Sequence, residues 1–329
     1  MASPESAVLT EMFKNVGARL SADPPIGLDS VREIFDCMLR FATEAEGVSY
    51  RSDRTGPVPG MWAFPPDAVS DAVILYLHGG GYISGSTSGH RRLFAHLAKE
   101  SGVRAFAIDY RLAPEHLFPA QLDDARAAYD HLLAQGYAPQ RIAVVGDSAG
   151  GSLATALGLH LADGGQPSPA AIVAMSPYYD VLGEGETFVT NVDNDVVAPP
   201  AAAMEPSAAV YLGDPARART DHYVNPLISD PSGLPPMLLT CGGYECLLSG
   251  VETFAELARS KGVKVELDVA PEMQHVFQFL VGHAPEATES VARISEFIRT
   301  SLNDSGRAAA AAPSSGGGGD DDLGGSSRC

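Results

Sequence analysis

Ser148 stands in a segment whose residue types suit nucleophilic chemistry: Arg141 to Ser152 reads RIAVVGDSAGGS. Ile142 to Val145 form an uninterrupted apolar run, as a parallel strand buried on both faces requires. Gly146-Asp147-Ser148-Ala149-Gly150 then fits the pattern G-x-S-x-G. Glycines flanking the serine let the chain turn sharply enough to lift its Oγ clear of the strand end. The residues that follow, Gly151 to Leu159, are small or apolar on all sides, the composition of a helix buried against a sheet. Five residues alone leave two readings open, an activated serine or a Gly-rich turn that holds a phosphate. A second segment bears on the choice. His78-Gly79-Gly80-Gly81 follows another apolar run, Ala72 to Leu77, so backbone N–H groups of Gly80 and Gly81 can join that of Ala149 around a developing oxyanion.

In chain order, HGGGY at 78–82, DYRLAPEH at 109–116, FPAQLDD at 118–124, GDSAGG at 146–151 and MQHVFQF at 273–279 resemble the hormone-sensitive-lipase-like family of α/β-hydrolases. The resemblance runs from about Val58 to Leu302. It implies an α/β fold with a mostly parallel eight-stranded sheet flanked by helices, and a helical cap from the N-terminal arm and an insertion after the sixth strand. A serine hydroxyl is a poor nucleophile until a base takes its proton and a carboxylate fixes that base. In α/β-hydrolases these follow in the order Ser, Asp or Glu, His. Of the nine histidines only His275 and His283 lie beyond the last strands, and His275 falls within the matched MQHVFQF. It is the expected base, His283 a surface residue. The family usually has Asp as the acid, whereas CGGYECLLS at 241–249 places Glu245 there. Asp268, on the polar face of an alternating strand, is expected to point to solvent, and Glu272 to be a loop surface group. His78 is expected to anchor its loop with Gly79, and Asp147 to orient the elbow or face the pocket. Tyr110, Arg111, Pro114 and Glu115 are expected to form a structural corner.

The implied activity is hydrolysis of a small, fairly apolar carboxylic ester through an acyl-enzyme, on short to medium acyl esters or lactones, with no cofactor and no metal. Two alternatives stand beside it. Amidases, formamidases and arylacetamide-type deacetylases share the HGGG and GDSAGG motifs. Some relatives are non-catalytic hormone receptors, but those lack the histidine that this chain keeps at His275.

Composition narrows the partners. With 22 basic and 41 acidic residues the net charge is −19, which disfavours nucleic acid or an anionic membrane surface. The four cysteines, at 37, 241, 246 and 329, show no metal-binding spacing and suit a reducing compartment. The start MASPE has no basic, then apolar, leader, and no stretch approaches the ~20 apolar residues of a membrane span. A soluble cytoplasmic protein is expected, with oligomeric state open and a homodimer one option.

The elements that must position these residues follow from hydrophobic period. Val8, Met12, Phe13, Val16 and Leu20, then Val31, Ile34, Phe35, Met38 and Leu39, mark two amphipathic helices separated by Pro24-Pro25. Residues 1–45 are expected to be part of the cap, and residues 46–302 the catalytic domain. Strands are expected near 47–53, 58–64, 72–77, 105–108, 142–145, 171–175, 237–240 and 263–269, and helices over 91–100, 119–133, 151–159 and 285–302. Ser249 with Glu252 reads as a capping box for another helix, ended by Gly262. Residues 178–233, rich in Pro, Gly and Asp, are expected to supply the second cap element, with Tyr178, Tyr179, Phe188 and Val197 as candidate pocket residues. The Gly/Ser/Asp-rich segment 303–329 reads as a disordered tail.

Overall fold

Apolar runs covered on both faces build the sheet, because parallel strands must bury both sets of alternating side chains. The computed structural model describes residues 2–21, 23–198 and 201–311. Its strands are β1 (Ser49–Asp53), β2 (Gly60–Phe64), β3 (Val69–Leu77), β4 (Val103–Ile108), β5 (Ile142–Asp147), β6 (Ala171–Met175), β7 (Met237–Gly242) and β8 (Val265–Ala270). They form one eight-stranded sheet in the order β1-β2-β4-β3-β5-β6-β7-β8. β2 pairs antiparallel with both β1 and β4, and every other pairing is parallel.

The helices are α1 (Ala7–Leu20), α2 (Leu28–Leu39), α3 (Thr87–Ser101), α4 (Ala120–Ala134), α5 (Ala149–Asp163), α6 (Thr187–Thr190), α7 (Ala201–Leu212), α8 (Arg217–Thr220), α9 (Leu248–Ser260) and α10 (Pro285–Ala311). Within β3, Val73, Leu75 and Leu77 join a core with Tyr129 and Leu132 of α4, Leu157 of α5 and Phe254 of α9. Ile74 and Tyr76 point the other way, to Phe94 and Leu97 of α3 and Val291 and Ile294 of α10. The period-two alternation of the strands therefore divides the molecule into helix, sheet and helix layers. Among the described residues no helix is long and apolar enough to cross a membrane.

Four expectations are revised. α3 starts at Thr87, ahead of Arg91, because the Ser86 side chain caps it by accepting from the Gly89 N–H at 3.0 Å. Ser249 lies inside the first turn of α9, and its hydroxyl meets that of Thr187 at 2.7 Å instead of capping a helix end. Asp268 is turned from solvent by an ion pair at 2.7 Å with Arg293 of α10, which leans over the edge strand. α10 continues to Ala311, where the alanine run at 308–312 favours helix. The rest of the expected tail, 312–329, lies outside the described residues.

Candidate active site

β5 ends at Asp147, and the chain turns at Ser148 with φ 52° and ψ −123°, a conformation that a residue with a Cβ adopts only under constraint. The constraint is a backbone bond from the Ser148 N–H to the Met175 carbonyl at 2.7 Å and two glycines that admit no side chain. A Cβ on Gly146 would lie 2.2 Å from the Gly150 carbonyl oxygen, and one on Gly150 2.0 Å from that of Leu77. Ser148 Oγ is thereby aimed out of the sheet at His275, whose Nε2 stands 2.8 Å away.

The other nitrogen of that imidazole, Nδ1, is 2.7 Å from Glu245 Oε2. Glu245 is fully buried in the loop after β7, so both oxygens need partners. Oε1 accepts from the Ser176 hydroxyl at 2.7 Å and from the Gly242 N–H at 2.5 Å. Ser176 Oγ in turn accepts from the Val276 N–H at 2.9 Å, which pins the histidine loop to the same serine. Burial by itself would lower the basicity of His275. The charge and hydrogen bond of Glu245, with Asp195 and Asp147 further off, outweigh that and raise it. The arrangement can move a proton from Ser148 Oγ to Nε2 while the carboxylate stabilises the imidazolium.

Gly80 and Gly81 follow β3 with φ of 116° and 62°, and both border the same cavity as Ser148. The turn is closed by the Gly80 carbonyl, which accepts from Ile83 N–H at 3.2 Å and Ser84 N–H at 3.0 Å. Asp147 ties this turn to the elbow: its Oδ1 accepts from the Tyr76 hydroxyl at 2.6 Å and the Gly79 N–H at 3.1 Å. Its Oδ2 lies 3.3 Å from His90 Nε2, an ion-pair contact outside hydrogen-bond geometry. Burial would raise the carboxyl and lower the imidazole, but their opposite charges prevail, so the Asp147 pKa is lowered and that of His90 raised. His78 is stacked on Tyr110 at 4.1 Å, and its carbonyl accepts from the Tyr110 hydroxyl at 2.6 Å. Burial and neighbouring His90 push His78 down to about 4, which suits a neutral anchor.

A cavity of about 330 Å³ opens above Ser148. Phe13 of α1 and Phe35, Met38 and Leu39 of α2 form one wall; Val197, Met204, Val210 and Leu247 form another. Of the four candidate pocket residues, Tyr178 and Val197 border it. Tyr179 is buried with its hydroxyl 2.7 Å from that of Thr155, and Phe188 packs with Met204, Cys246 and Leu247. Glu272 accepts from the Ala2 N–H at 2.6 Å. Neither it nor Asp268 is joined to His275. Ser176, Asn191, Asp195 and Gln274 escaped the sequence reading. Asn191 Nδ2 donates to the Gly243 and Glu245 carbonyls at 3.0 Å each, Asp195 Oδ2 accepts from Cys246 N–H at 2.7 Å, and Gln274 Nε2 donates to the Asn194 carbonyl at 2.8 Å. Asn191 and Asp195 belong to the polar run NVDND, Ser176 opens SPYYD and Gln274 lies in MQHVFQF, and none of these patterns names the partner that its residue meets. Among the described residues no group of three or more His, Cys, Asp or Glu is placed to hold a metal ion.

Sheet order, crossovers and the serine elbow after β5 define the class, an α/β-hydrolase. The profile of the α/β-hydrolase fold family matches residues 74–279. The chain is 32% identical over 294 residues to an esterase of Acinetobacter venetianus, covering 89% of this chain and 96% of that one. It is 34% identical over 260 residues to an ethyl acetate hydrolase of Pseudomonas putida, covering 77% and 80%. A solved esterase from the bacterial hormone-sensitive lipase family superposes with a TM-score of 0.85 at 38% identity, over 92% of this chain and 99% of that one. The chain belongs to the hormone-sensitive-lipase-like family of α/β-hydrolases, and with it to the carboxylic ester hydrolases.

Proposed function

We propose that Ser148, His275 and Glu245 form a catalytic triad that cleaves short to medium acyl esters or lactones through an acyl-enzyme. The carrying observation is the unbroken chain from Ser148 Oγ through His275 to Glu245, at 2.8 and 2.7 Å, at the floor of an apolar cavity. Ser148 Oγ attacks the ester carbonyl as its proton passes to His275 Nε2. The imidazolium returns that proton to the leaving alkoxide, and a water activated by the same nitrogen then releases the acid and regenerates the serine. The N–H groups of Gly80, Gly81 and Ala149 serve as the oxyanion hole, where a single preset donor is worth about 3–4 kcal/mol. A volume of about 330 Å³ sits at the small end of ligand pockets (~300–1,000 Å³), which favours small substrates with apolar acyl groups.

The test is stoichiometric labelling of Ser148 by a fluorophosphonate, with turnover on a panel of acyl esters, lactones and a matched anilide. Labelling at Ser148 alone, abolished in Ser148→Ala, is expected, with esters turned over faster than the anilide. Labelling that persists in Ser148→Ala overturns the nucleophile, and faster anilide cleavage overturns the ester assignment.

A further inference from the structure

The N-terminal arm does more than wall the cavity. Arg32 of α2 donates from Nε to the Ile83 carbonyl at 2.8 Å and from Nη2 to the Ala113 carbonyl at 3.1 Å. The same guanidinium grips Glu115 with two bonds, at 2.8 and 2.7 Å. Ile83 and Ala113 are the two sides of one junction, since the Ala113 N–H donates to the Tyr82 carbonyl at 2.9 Å. One turn further along α2, Asp36 accepts from the Ser86 hydroxyl at 3.0 and 2.9 Å, and Ser86 caps α3 directly after the same turn. Residues four apart on a helix share a face. α2 therefore holds the 80–86 turn through Arg32 and Asp36 while Phe35, Met38 and Leu39 reach the cavity.

We propose that Arg32 is a positioning residue for the oxyanion turn, setting Gly80 and Gly81 from the cap and so joining occupation of the cavity by substrate to assembly of the oxyanion hole. The inference rests on the serine-hydrolase reading of this site. The physical reason is that Gly80 and Gly81, both at positive φ, resist displacement poorly by themselves. The carbonyl two residues later is fixed by a planar donor that reaches both sides of the junction. A lysine keeps the charge but cannot present four directed N–H groups in one plane. Substrate that packs on Phe35 and Leu39 steadies α2, so remote binding energy is spent in the transition state.

Two variants of the full chain separate this from simple fastening of the cap. Arg32→Lys retains a cation for Glu115 and loses the shared grip on the two carbonyls. It is expected to lower kcat on a short acyl ester ~10-fold or more, with KM within about twofold, because a small misplacement of preset groups acts on the transition state. Glu115→Gln, at a half-exposed side chain that does not line the cavity, leaves both carbonyl acceptors of Arg32 in place and is expected to leave kcat unchanged. If Arg32→Lys does not fold, as judged by its thermal transition, Arg32→Gln replaces it, with the same loss of kcat expected. Unchanged kcat in the folded Arg32 variant, a rise in KM alone, or an equal loss in Glu115→Gln overturns the proposal. Failure of the underlying reading shows differently: wild-type protein would then neither turn over esters nor take up label at Ser148.

Discussion

Glu245 stands where most of the family has the shorter Asp, and a longer side chain has one more torsion to restrain. The restraint is visible: Oε1 is held by Ser176 and Gly242 while Oε2 faces His275, so only one orientation satisfies all three partners. Glu245→Gln should lower kcat by ~10²–10⁴-fold with the fold retained, since the histidine loses the carboxylate that sets its tautomer. Asp268→Asn, which touches only the Arg293 ion pair, should change kcat by less than about threefold. Near-normal turnover in the first mutant with collapse in the second would reverse the assignment. The pH profile is a second readout. In the proposed triad His275 must be neutral to take a proton, so kcat/KM should rise with pH through a midpoint above the ordinary 6.5. In Glu245→Gln the residual activity should show a lower midpoint, because burial is then opposed only by the more distant Asp195 and Asp147. The stability linkage has the opposite sign. A raised histidine pKa contributes stability that is full below its unfolded value near 6.5 and lost as pH rises through the folded value, so the active form is the less stabilised one.

The N-terminal helices and residues 187–198 have different contacts. Residues 187–198 are stitched by Asn191 and Asp195 to the glutamate loop and, through Asn194 and Gln274, to the histidine loop. α1 contributes Phe13 to the cavity and buries Leu9 and Phe13 in the core shared by α3 and α10. Removing the residues before Gly27 keeps α2 and Arg32 but takes Phe13 out of the wall that it shares with α2. KM should rise several-fold while kcat on a short ester stays within about threefold, and the melting temperature should fall, since each such side chain buries roughly 1.5–3 kcal/mol. An unaltered KM would reduce α1 to packing. Element existence was legible from period: the stripes at 8–20 and 31–39 and the apolar runs of β3 to β7 all became the expected helices and strands. Element ends were not, because they depend on partners distant in sequence. Ser249 has the spacing of a capping box, yet Thr187, far away in the chain, takes its hydroxyl.

At the scale of the whole molecule, eight strands and two helix layers bring the loops after β3, β5, β7 and β8 to one edge of the sheet, where parallel strands place their carboxyl ends. Among the described side chains of α10 the last buried one is that of Leu302, whose carbonyl accepts from Arg141 at 2.9 Å. Deleting Ser305 to Cys329 should therefore leave turnover and melting temperature nearly unchanged, whereas a cut before Ile298 removes the buried apolar side chains of Ile298 and Leu302 and should lower the transition markedly. Loss of activity in the shorter deletion would show that the C-terminal segment docks. The sequence by itself determined the elbow at Ser148, the glycines at 79–81, the buried runs and the positions of Glu245 and His275, because each is set by local chemistry: turn geometry, hydrophobic period and motif spacing. The remaining features depend on packing. Ser176 between Glu245 and Val276, the buried Asp147–His90 pair behind the elbow, Arg32 on the 80–86 turn and the division of residues 178–198 between cavity and core all join segments far apart in the chain. A residue type says which bonds it can make. Which partner it meets depends on how the layers pack, and no local pattern records that.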